Sequence, residues 1–136
     1  MSYQFGNLIL PCKKPELIYD FLSFIFDLEN FEGATQDEIH LSLFGINLKL
    51  RKQENENVLN VPFELTTHDA AGLFQLKQNI EFYYYKNQSD IPEINVNDDR
   101  IEFLDPEGHC WKVLLVSPLI VSSRVPEKNT QDVRIC

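Results

Sequence analysis

Basic residues are scarce in this chain. Lysine and arginine together number 12 against 21 aspartates and glutamates, a formal net charge of -9. A surface this acidic repels the nucleic-acid backbone and an anionic membrane face, so neither is an expected partner. Long apolar runs are absent too, and no stretch approaches the roughly 18 residues that a membrane-spanning helix requires. The first residues lack a charged segment, an apolar run and a small-residue cleavage site. No signal peptide is therefore expected, and the expected location is cytoplasmic. Cysteine is limited to Cys12, Cys110 and Cys136, an odd number with no C-x-x-C spacing. That pattern argues against a disulfide framework and predicts free thiols in a reducing compartment. No phosphate-binding loop, Ser-His-Asp order or Cys-His pairing is present either. His40, His68 and His109 show no i, i+4 pairing or other ligand spacing and read as surface or turn residues. Of the three, His40 alternates with Ile39 and Leu41 and so can face a concave side of its strand.

What is present suffices for a real core. The chain has 136 residues, the size of one domain or of two small repeats sharing a core. Ten phenylalanines and five tyrosines supply large apolar surface.

Taken in order, residues 7–12 read as a short strand that Pro11 places at an edge or brings to an early end. Pro15 suits a first helical turn, and Glu16 lies near the positive end of the helix dipole. Leu17, Ile18, Phe21, Leu22, Ile25 and Phe26 then form the stripe of an amphipathic helix. Residues 27–36 read as a loop or irregular strand. Alternation predicts strands over 38–44 and 46–52, with Gly45 in the turn between them. The polar run Gln53 to Asn57 marks the boundary between halves. The second half repeats the plan, with a strand over 60–66, an Asp69 cap and a helix over 70–78. Residues 81–86, with three successive tyrosines, read as an aromatic strand, and 87–92 as a loop. The expected organisation is a domain over 1–117, with modules at about 5–52 and 58–117 and a tail over 118–136.

The most informative stretch is Arg100 to Leu115. Ile101 and Phe103 alternate with Glu102, Asp105-Pro106-Glu107-Gly108 forms a turn, and a second apolar strand follows. Pro106 presets φ at the second turn position, and Gly108 accepts a positive φ. This D-P-E-G-H hairpin resembles the closing hairpin of the vicinal oxygen chelate superfamily. That superfamily includes glyoxalase I, fosfomycin-resistance enzymes, extradiol dioxygenases and bleomycin-binding proteins. Residues 7–29 resemble its first strand and helix without a gap, and the resemblance covers roughly residues 5–117. It implies an α+β fold of two paired β-α-β-β-β modules, forming a curved mixed sheet with helices outside and a cleft inside.

In metal enzymes of this superfamily, the ligands are His, Glu or Gln on the opening and last strands of each module. Carried over by resemblance, the four positions are Asn7, Lys49, Asn60 and Lys112, with Asn47 the alternative to Lys49. A lysine ammonium has no lone pair, and amide carbonyls are weak ligands. The expectation is therefore a chain without metal or other cofactor. Its cleft wall would carry Asn7, Lys49, Arg51, Asn60, Glu64 and Lys112, with Asn47 beside them. Cations and amides at the base of a concave site suit an anionic small molecule, and a tyrosine there would stack on a planar one. The expected function is metal-free small-molecule binding, as in the drug-sequestering members. The alternatives are a metal-dependent lyase or dioxygenase with non-standard ligands, or an interaction domain with a vestigial cleft. The family's habit also implies a homodimer, which exposed edge strands permit.

Overall fold

A computed structural model describes residues 2–3, 6–28, 31–54 and 62–116, the side chains of 31 and 32 excepted. Asn60 and the tail 118–136 lie outside the described residues. The chain divides into two compact units, the first comprising Met1–Leu59 with Asp105–Gly108 and the second Asn60–Leu104 with His109–Cys136.

In the first unit, β1 (Leu8–Cys12) leads into α1 (Pro15–Phe26), followed by β2 (Phe31–Ala34), β3 (Glu38–Leu43) and β4 (Ile46–Lys52). The sheet order is β1-β4-β3-β2. Strand β1 runs parallel to β4, and the other neighbours are antiparallel. The α1 stripe forms as its spacing predicts: Ile18, Phe21, Leu22 and Ile25 are buried, together with Leu10, Leu41, Leu48 and Leu50 of the strands. Each such side chain contributes roughly 1.5–3 kcal/mol when fully buried. The β3–β4 connection is a two-residue turn, Phe44-Gly45, with φ of 50° and 88°. Two successive positive φ values are the mark of a type I′ hairpin, whose second position suits glycine. Phe44 occupies the first although it is 62% exposed, and its ring meets Phe26 edge-on at 5.4 Å.

The second unit repeats the order with β5 (Phe63–Thr67), α2 (Ala70–Lys86), β6 (Asn95–Asn97), β7 (Arg100–Leu104) and β8 (Cys110–Leu115). Its sheet order is β5-β8-β7-β6, with β5 parallel to β8. The fold class is thus α+β, built from two four-stranded mixed sheets of one plan. Trp111, Phe103 and Ile101 are fully buried, and Phe63 stacks on Trp111 at 4.6 Å. No helix among the described residues is long and apolar enough to cross a membrane.

Two expectations need correction, and one strand is new. Residues 81–86 are not a strand; they complete α2. Leu73, Leu76, Ile80, Tyr83 and Tyr84 are buried, a helical spacing that carries the core face through the tyrosine run. Lys77 pairs with Glu81 at 2.7 Å across one turn, and the Asn87 side-chain amide donates to the Tyr83 carbonyl at 2.8 Å to close the helix. Tertiary burial here overrides the strand preference of aromatic residues. The short strand β6 was not anticipated; it is recruited by antiparallel pairing with β7. Finally, Cys110 is disulfide-bonded, whereas Cys12 is a free, buried thiol. Pairing depends on proximity in the fold, which cysteine spacing alone does not display.

Candidate functional site

In each sheet the strands alternate between a face of large buried apolar residues and an opposite, mixed face that carries the charged side chains. The mixed face also holds Ile9 and Pro11 in the first unit, and Leu104, Cys110 and Leu114 in the second. In the first unit the mixed face carries Glu38, His40 and Ser42 from β3, and Asn47, Lys49 and Arg51 from β4. Their positions follow from the register Glu38↔Arg51, His40↔Lys49 and Ser42↔Asn47. Glu38 is the hub. Arg51 Nε donates to its Oε2 at 2.6 Å, His40 Nε2 lies 3.2 Å from its Oε1, and Lys49 Nζ is 3.9 Å from the same oxygen. The hydrogen bond from Arg51, with that of His40 second, holds the Glu38 carboxyl below its ordinary value. Among the described side chains of β3 and β4, one carboxylate thus faces two permanent cations, Lys49 and Arg51.

The second unit builds a similar face around Glu102. Across the sheet the register aligns Glu64 with Lys112, Lys112 with Glu102, and Glu102 with Asn95. Glu102 is only 3% exposed. Its Oε2 lies 4.0 Å from Lys112 Nζ and 3.9 Å from the Arg100 guanidinium, and Arg100 Nε is 3.5 Å from Asp99. Glu64 is exposed at the other end of the row.

The hairpin turn that closes β7 and β8 belongs to the first unit. Asp105 accepts from the Glu107 amide at 2.9 Å through its side chain and from Gly108 at 2.9 Å through its carbonyl, and Gly108 has φ of 93°. This aims Glu107 at the start of α1. There the Lys13 and Lys14 amides donate to its two oxygens at 2.7 Å each. Lys14, the residue capping α1, makes no capping bond with its own side chain, so Glu107 supplies that function. Burial, with the charges of Glu107, Asp105 and Glu16 next, pushes the nearby Cys12 thiol up to about 12.

The residues singled out from sequence are placed as follows. Lys49 and Arg51 come together on Glu38. Lys112 sits between Glu64 and Glu102. Asn7 is exposed ahead of β1, and the residue across from Lys49 is Ile9. Asn60 lies outside the described residues, and the residue across from Lys112 is Glu64. Sequence reasoning missed Glu38, Arg100 and Glu102. The signal for Glu102 was available, since a hairpin closed at residues 105–108 pairs it with Lys112.

A divalent metal ion would need donors with lone pairs. Among the described residues, no three His, Cys, Asp or Glu side chains come together where they could hold one. The ammonium groups of Lys49 and Lys112 do not fit such a role.

No protein-family model and no curated protein sequence matches the chain. Solved structures do. The oxidase ChaP-H2 superposes with a TM-score of 0.64 at 18% identity, covering 85% of this chain and 95% of its own. Lactoylglutathione lyase from Agrobacterium tumefaciens gives 0.59 at 14% identity, covering 84% and 94%. The fosfomycin resistance protein FosX from Listeria monocytogenes, in complex with Mn(II) and sulfate, gives 0.64 at 12% identity, covering 88% and 94%. At these identities the likeness is one of fold: the chain has the fold that these proteins share.

Proposed function

We propose that this chain binds a small anionic molecule through the cations on the mixed faces of its sheets, without a resident metal. The observation that carries the reading is the placement of Lys49 and Lys112. Each is central in the last strand of its unit and paired in parallel with the opening strand, at Ile9 and Glu64 respectively. In this fold those strands supply metal ligands; here they present ammonium groups, each beside a carboxylate that holds it in place. Arg51 and Arg100 stand next to them on the same faces. A fixed lysine with an arginine beside it recognises a carboxylate or similar anion through charge-assisted hydrogen bonds. A homodimer remains part of this reading.

The test is calorimetric titration with small carboxylates, phenylacetate first, against the native chain and the variants Lys49→Ala and Lys112→Ala. Loss of one charge-assisted contact predicts at least a tenfold weaker affinity, about 1.4 kcal/mol, in at least one variant. Unchanged affinity in both would refute the reading. A second reading, metal-dependent catalysis, draws its support from the fold likeness to a protein complexed with Mn(II). It predicts a stoichiometric divalent ion in the purified chain.

A further inference from the structure

Two polar atoms on the second unit's sheet are buried and make no hydrogen bond. They are Glu102 Oε1, an acceptor, and Arg100 Nε, a donor. They lie two residues apart on β7, so both belong to the same face. Glu102 Oε2 is engaged only at ion-pair range, 4.0 Å from Lys112 and 3.9 Å from Arg100. Arg100 Nε has an equally loose relation to Asp99 at 3.5 Å. Native structures seldom leave such groups without partners, and a bound molecule is one of the few physical reasons for them.

The pair defines its complement. Arg100 Nε and the Lys112 ammonium call for an acid. Glu102 Oε1 calls for an O–H or N–H. The cations that would take the acid flank Oε2, and Oε1 is the other oxygen of the same carboxylate. The ligand's donor must therefore sit immediately beside its acid group. We propose that Glu102 is a ligand-binding residue that selects α-hydroxy or α-amino acids over plain carboxylates. This inference rests on the anion-binding reading above and names the ligand class for the second unit's face.

Three matched probes separate the two claims: phenylacetate, mandelate and phenylglycine, which differ only in the α substituent. They are titrated calorimetrically into the full chain and into Glu102→Gln, with a thermal melt to establish that the variant folds. The native chain is expected to bind mandelate and phenylglycine at least about tenfold more tightly than phenylacetate, since a site built to hydrogen-bond a donor discriminates against the analogue lacking it. Glu102→Gln is expected to bring phenylglycine to within about twofold of phenylacetate, because the ammonium loses its charged partner. Equal affinity of the native chain for all three probes would overturn the inference while leaving anion binding intact. Binding of none would overturn both. Should Glu102→Gln not fold, the ranking on the native chain decides the matter by itself.

Discussion

Replacing Glu107 with alanine removes a cap supplied to α1 from a turn more than ninety residues away in sequence. Two amides, those of Lys13 and Lys14, lose charged acceptors at 2.7 Å. A cap of this kind is worth about 0.5–2 kcal/mol, and a hydrogen bond to a charged group about 1.5–3 kcal/mol when its partner is left dry. Lys13 and Lys14 are exposed, so water replaces much of what is lost and the lower range applies. The expected destabilisation is about 1–2 kcal/mol, which for a chain of this size lowers the melting temperature by roughly 3–8 °C. Glu107→Gln keeps an acceptor oxygen and should lose about half as much. The assay is a thermal melt followed by circular dichroism. A second readout is independent: without Glu107, one of the charges that raise Cys12 is gone, so the thiol should react faster with a disulfide reagent at pH 9. A melt unchanged within 1 °C, with unchanged thiol reactivity, would refute the capping role.

Three further outcomes follow from the same structure. The folded pKa of Cys12, about 12, stands above the unfolded value near 9.0, so its contribution is fully present below pH 9 and is lost as pH rises toward 12. Linkage gives an upper bound of about 4 kcal/mol, from three pH intervals at 1.36 kcal/mol each; Cys12→Ala should flatten the alkaline arm of a stability–pH curve. The folded pKa of Glu38 is lowered, so its contribution is present above the unfolded value of 4.5 and lost as pH falls through the folded one. Arg51→Ala should move the Glu38 carboxyl upward in an NMR titration; an unmoved carboxyl would show that Arg51 is not its main partner. Trp111→Ala removes a fully buried ring stacked on Phe63 and should cost about 3–5 kcal/mol in denaturant unfolding.

Much of this architecture was legible because local chemistry and tertiary structure agree. The stripe of α1, the alternation of β3 and β4 and the D-P-E-G turn each have a single low-energy solution, and each forms as its pattern predicts. Where they disagree, the sequence misleads. Tyr83, Tyr84 and Tyr85 favour a strand locally, but the buried face of α2 needs Tyr83 and Tyr84 at helical spacing. The site was half legible. Parity along a strand places Lys49 with Arg51 on one face, whereas the alignment of Lys112 with Glu64 needs the pairing of β5 with β8. The roles of Glu38 and Glu102 depend on register across strands, which only the pairing makes visible. The disulfide at Cys110 carries no local signature at all.

The central claim is anion binding without a resident metal. It is tested most directly by thermal melting of metal-stripped protein with Mn, Fe(II), Ni and Zn and, in parallel, with phenylacetate and mandelate, alongside elemental analysis of untreated, tag-free protein. A ligand that binds the folded state raises the melting temperature by mass action. The account predicts a rise with the carboxylates, none with the metals, and no stoichiometric metal in the untreated sample. A stoichiometric divalent ion with a clear metal-dependent rise, and no response to the carboxylates, would contradict it.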